Sequence, residues 1–373
     1  MIRLLGRWFC VGALFFVNCA NASAAEFGSK GGAEPENIES FSEFLREAPY
    51  DLELLISYGT SKGGSAGHLA LNVRNDETNE EQIYSANFYA DRAEEHADGY
   101  YNADLMLSIP KAEYLFKTAS SLGETASFGL DFGEIYKRSL VGMRVYDVPA
   151  DEKIALLAYF QRINDDYHQQ AASTEYHDSE IKYDYMRLNC AKTIGSAFKY
   201  GAGYSDLDVS SAKILTRRRV VVAAKSNIPT EMAMKLIKEW NARGYAMDVV
   251  SYRKFSASSY VDPHDDQTLA FKDFPDRFPS VLSRDFRRDE YRDFNNLYAM
   301  YLLYNMARYS VRVNDKTQLI EIDRSKHPMP YTEAAETAEE WAKADSRGFF
   351  LRHLFKPRGN RIGEALDDKI ADD

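Results

Sequence analysis

A lone thiol can attack a carbonyl, and Cys190 is the residue in this chain best placed to supply one. Of the three cysteines, Cys10 and Cys19 fall in an N-terminal segment that reads as a leader. Cys190 then has no disulfide partner and is either a buried space-filler or a nucleophile. It stands in Tyr183-Asp-Tyr-Met-Arg-Leu-Asn189-Cys190-Ala-Lys-Thr-Ile, where an extended run turns into a helix. A free thiol has a pKa of about 8.5, and a helix N-terminus or a nearby imidazole lowers it. Cys190 opens the helix. His68 is the best placed of the seven histidines, since it follows Gly67 and begins a strand that would hold its ring rigidly. Such a pair works through a covalent acyl-enzyme or thioester. The plainer reading stands beside it: a cysteine at the start of an apolar helix face and a single histidine are also ordinary structural residues.

Two other sites compete. Gly63-Gly64-Ser65-Ala66-Gly67 fits the G-x-S-x-G pattern of a serine nucleophile elbow. That elbow needs a strand leading in and a helix leading out, whereas here a loop precedes and strand-like Leu69 to Val73 follows. A serine hydrolase using Ser65 is therefore an alternative, with a Gly-rich loop as its structural counterpart. His264, in Asp262-Pro-His264-Asp265-Asp266, matches no specific metal spacing. His96, His168 and His177 stand in polar surroundings. No metal and no cofactor is expected.

The elements that must position these residues are legible in part. Leu52 to Tyr58 reads as a strand, Gly59 to Gly67 as a flexible loop, and His68 to Val73 as a second strand. Asn75 to Glu81 is a turn and Gln82 to Tyr89 the return strand, forming a hairpin. Ile109-Pro110 starts a helix, and Ile135 to Val148 has strand character. Pro149 opens a long helix to about Gln170, its apolar face drawn through Ile154, Leu157, Ala158 and Phe160. Cys190 to Lys199 is a helix with Ala191, Ile194, Ala197 and Phe198 on one face, ended by Gly201-Ala-Gly203. Beyond Asp206 the character changes. Arg218 to Ala224, Pro229 to Arg243 and Ala246 to Tyr252 read as strand–helix–strand, and Val261 to Asp289 as a charged loop. Tyr291 to Arg308 and Thr332 to Asp345, the latter capped by Thr332, read as helices. The expected organisation is a leader over 1–24, a mobile segment over 25–40, a first domain over 41–205, and a C-terminal α/β or α+β lobe, or a packed extension, over 206–373.

Ser65-Ala-Gly67-His68-Leu-Ala-Leu71, Ile83-Tyr84-Ser85, Ile109-Pro-Lys-Ala-Glu-Tyr114 and Arg187-Leu-Asn189-Cys190-Ala-Lys-Thr193 occur in that order. Together they resemble the Lnb-like N-terminal periplasmic domain family over roughly Leu52 to Gly203. The resemblance implies an α+β, circularly permuted papain-like (NlpC-type) domain, with an antiparallel sheet, a Cys-bearing helix, and histidine before cysteine in the chain. It implies a thiol acyltransferase or hydrolase with Cys190 as nucleophile and His68 as general base. Tyr84, Ser85 and Asn87, on the neighbouring strand, are candidates to orient the ring. Asn189 and the Cys190 backbone N–H are candidates to stabilise an oxyanion. The implied substrate is a cell-envelope lipoprotein, lipid or peptide. A catalytically inactive envelope-binding module of the same fold is the other reading.

Charge and hydropathy narrow the setting. The chain has 46 basic and 57 acidic residues, and loses Arg3 and Arg7 with the leader, so it lacks the basic footprint of a nucleic-acid binder. Arg3 and Arg7, the apolar run Trp8 to Val17, and Ala22-Ser-Ala24 have the layout of a cleaved secretion signal. The expected location is periplasmic or secreted. No later apolar run is long enough for a transmembrane helix, so a lipid substrate would have to be extracted or met at a membrane surface. Phe349-Phe-Leu-Arg-His-Leu-Phe-Lys-Pro-Arg358 could make such a peripheral contact or pack on its own domain.

Overall fold

In the computed structural model the described residues are 50–58, 67–87, 90, 104–116, 140–172, 181–184, 188–207, 209, 229–253, 302–313, 320–325 and 327–340. They form a mixed α+β fold around one eight-stranded sheet. The strands are β1 (Leu52–Tyr58), β2 (Gly67–Arg74), β3 (Glu81–Ala86), β4 (Met106–Pro110), β5 (Leu140–Tyr146), β6 (Ala246–Arg253), β7 (Ala307–Val313) and β8 (Ile320–Arg324). Their spatial order is β4-β3-β2-β1-β5-β6-β7-β8. Neighbours are antiparallel except β6 and β7, which run parallel. The principal helices are α1 (Lys111–Phe116), α2 (Ala150–His168), α3 (Cys190–Ser196) and α4 (Pro229–Ala242).

The β2–β3 hairpin forms as its pattern predicts. Asn75 Oδ1 accepts from the backbone N–H groups of Glu77 and Thr78 at 2.8 and 3.0 Å, an Asx turn that reverses the chain. Pro110 closes β4, and the helix begins one residue later at Lys111. The strand before it was not anticipated. In α2 the buried arc is Leu156, Tyr159, Phe160 and Ile163, spaced i, i+3, i+4, i+7. Ile154 and Leu157, expected on the core side, are 66% and 36% exposed. Lys153 turns inward instead, with its ammonium between Asp51, at 2.9 Å, and Asp76.

Beyond Asp206 the described strands add to the same sheet, with β6 pairing along β5 from Leu140↔Tyr252 to Tyr146↔Ala246. Helix α4 packs on β1, β2 and α3. The described strands of the C-terminal segment, β6, β7 and β8, extend the same sheet. Of the helix expected over Tyr291 to Arg308, the described part is helical over 302–306, and Ala307 begins a strand. Helical structure at the next segment starts at 331, which puts Thr332 inside it rather than at its cap. The expectations for the Ser65 loop, Arg218 to Ala224, the His264 loop, the leader and the Phe349 segment lie outside the described residues.

Alternation along the strands gives the sheet two buried faces. Leu52, Leu54, Ile56, Leu69, Leu71, Val73, Met143, Val145 and Val249 form one cluster with residues of α2, α3 and α4. Leu55, Ala70, Ile83, Leu107, Ile109, Leu140 and Val250 form the other, with Tyr114 and Leu115 of α1. The second face also carries a network of buried charge. Glu53 is paired with Lys111 at 2.5 Å and with Arg144 at 3.4 Å, and accepts from the Tyr252 hydroxyl at 2.7 Å. Lys111 also reaches Glu81 at 3.2 Å and Tyr50, whose hydroxyl donates to Glu81. Gly142 makes room for this arrangement, since a Cβ there would lie 2.1 Å from Glu53 Oε1. Burial by itself would raise the Glu53 pKa. The charges of Lys111 and Arg144, with hydrogen bonds from Lys111 and Tyr252, outweigh it and hold the carboxyl at about 2.

Candidate active site

Cys190 is the first residue of α3 and is buried, at 2% exposure. Asp184 and Leu188 exchange both backbone hydrogen bonds, at 3.0 and 2.9 Å. Asn189 is then extended and caps the helix, its Oδ1 accepting from Lys192 N–H at 3.1 Å. The Thr193 hydroxyl donates to the Asn189 carbonyl at 2.8 Å. Helix α3 continues into a single π turn, Ala197–Gly201, and its Gly195 lies against Met232 of α4. A Cβ at Gly195 would sit 2.6 Å from the Met232 sulfur, so glycine permits this close helix contact.

His68 is the second residue of β2 and is 3% exposed. Its Nε2 lies 2.8 Å from Ser85 Oγ on β3. The register explains the contact: Ser85 pairs with Ala70, so it is the diagonal neighbour of His68 on one sheet face. Of the other two orienting candidates, Tyr84 lies on the opposite face, while the β2–β3 register continues from Ala70↔Ser85 to set Asn87 across from His68. Tyr84 stacks on Phe160 of α2, with ring centroids 4.9 Å apart. Burial raises its pKa, eased by a hydrogen bond with Ser108. Asn87, just beyond β3, donates to the Asp104 carbonyl at 3.1 Å. Asn189 serves as the helix cap.

Helix α3 packs against β2 and β3, the strands that carry His68 and Ser85. The body of the helix sits on the face of Leu69 and Leu71. Alternation assigns His68 to the face of Ala70 and Asn72.

One charged group near the thiol was not anticipated. Lys192 occupies the first turn of α3 and is 1% exposed. Burial lowers its pKa to about 8, against a countering influence from Asp184. A lysine at the positive end of a helix is disfavoured by the macrodipole, and that mismatch in the first turn is the sequence signal that points to it. No group of His, Cys, Asp and Glu suited to a metal ion occurs among the described residues. No described helix is long and apolar enough to cross a membrane. No family model, curated protein or solved structure matches the chain.

Proposed function

We propose that this chain is a Cys–His thiol enzyme of the circularly permuted papain-like, NlpC-type kind. Its reaction is acyl transfer or hydrolysis through a thioester on Cys190. The observation that supports this reading is the packing of the helix opened by Cys190 onto the strand that carries His68. His68 takes the thiol proton, the sulfur adds to a carbonyl, and the protonated ring then gives that proton to the leaving group. The backbone N–H of Cys190, at the capped helix start, is a donor for the oxyanion. The resemblance to the Lnb-like periplasmic domain family supports a cell-envelope substrate, a lipoprotein, lipid or peptide, met in the periplasm or outside the cell.

An activity-based thiol probe tests the reading. Wild type should label, while Cys190→Ala and His68→Ala should not, with circular dichroism unchanged. Equal labelling of wild type and His68→Ala would sink the dyad.

A second reading is a catalytically inactive envelope-binding module of the same architecture. The alternation along β2 favours it, because His68 shares a face with Ala70 while the body of α3 packs on Leu69 and Leu71. It predicts no His68-dependent reactivity at Cys190.

A further inference from the structure

We propose that Ser85 is the positioning residue of His68, holding the imidazole in the tautomer that carries its proton on Nε2. The catalytic meaning of this inference rests on the thiol reading above, whereas the tautomer can be measured without it.

The two side chains lie 2.8 Å apart and both are buried, at 3% and 4% exposure. Each stands on a strand of the hairpin, so neither is carried by a loop. A neutral imidazole offers one N–H and one lone pair. A base that takes a thiol proton must turn its lone pair to the sulfur. With Nε2 engaged by Ser85, that lone pair belongs to Nδ1. Nε2–H then donates to Ser85 Oγ both before and after proton transfer. In the transfer the S–H bond breaks and an Nδ1–H bond forms, leaving a thiolate and an imidazolium; Ser85 keeps its own proton throughout. The Nε2–H···Oγ bond becomes charge-assisted as the ring turns cationic, which favours the ion pair.

Serine is an economical choice for this position. The register leaves a diagonal gap between His68 and the Ala70–Ser85 pair, and a short hydroxyl spans it. Tyr84, one residue earlier, is turned to the opposite face by alternation and is held there by Phe160.

The test uses full-length protein labelled with 15N-histidine, as wild type, Ser85→Ala, Ser85→Thr and Cys190→Ala. Nitrogen shifts of neutral His68 should report the Nε2–H tautomer in wild type, in Cys190→Ala and in Ser85→Thr, and a mixture in Ser85→Ala. The pH profile of Cys190 alkylation by iodoacetamide is the second readout. Ser85→Ala should move its midpoint upward, lowering the rate near pH 6 by roughly tenfold, and Ser85→Thr should restore it. An Nδ1–H tautomer in wild type overturns the proposal, and that measurement needs no variant to fold. So does a Ser85→Ala profile that superimposes on wild type while His68→Ala departs from it. If His68→Ala alkylates like wild type while the Nε2–H tautomer holds, the thiol reading fails and the role of Ser85 in fixing the ring stands.

Discussion

Glu53 and Leu54 are neighbours in β1, and both are fully buried, but they face opposite ways. Leu54 meets the helices in a cluster of aliphatic and aromatic side chains. Glu53 meets Lys111, Arg144 and Tyr252. Packing on the helix face is non-directional, so the helices can adjust along it to fill space. On the other face each charge needs its partner at a set place, because an unpaired buried charge is very costly. That face therefore ties the start of α1 to β1, β5 and β6, whatever the helices do. Asn72 extends the tie to β2, where its side chain donates to the Tyr50 hydroxyl at 3.1 Å. The strand carrying His68 is thus anchored on polar contacts at one end and presents its histidine near the other.

The strongest way to break this comparison is to remove the charge at its centre. Glu53→Leu leaves Lys111 and Arg144 buried with their shared partner gone. Urea unfolding should show a loss of about 3–5 kcal/mol. A loss below about 1 kcal/mol would mean that the second face is held by apolar contacts like the first.

Acid sharpens the same contrast. The folded Glu53 carboxyl titrates at about 2, below its ordinary value of 4.5. Its contribution to stability is complete above that ordinary value and is lost as pH falls from 4.5 towards 2. Unfolding free energies measured between pH 6 and pH 3 should decline in wild type, and Glu53→Leu should lack that part of the slope. Parallel slopes would assign the acid sensitivity to other carboxyls.

The smallest expected effect lies on the helix face. Asn189→Ala removes the cap of α3 and should cost about 1 kcal/mol. Because the cap also sets the first turn of the helix, alkylation of Cys190 should slow in the same variant. A stability loss with unchanged alkylation would separate the cap from the reactivity of the thiol.

Residues close in sequence were largely legible. The alternation of His68 to Val73, the polar turn at Asn75 and the return strand predict the hairpin that the structure contains. The Asn189-Cys190 junction predicts a helix start, and Asn189 caps it. Misreadings came where one local signal served two ends. Pro110 finishes β4 and also precedes α1, so a helix start was visible and a strand end was not. The aromatic run before Arg308 suits a helix or a strand, and pairing with β6 and β8 makes a strand of its last part.

By itself the sequence determined the hairpin, the capped helix that begins at Cys190 and the mix of strands and helices, and it singled out Cys190 and His68 as candidates for chemistry. These depend on patterns within a turn or two of chain, where periodicity and capping act. Only the tertiary structure decided that the segment beyond Asp206 joins the same sheet, that Ser85 and not Tyr84 meets the imidazole, and that Glu53 is answered by Lys111 and Arg144. Each is a pairing between distant positions, set by strand register and sheet face. A shift of one residue would turn every such side chain to the other side.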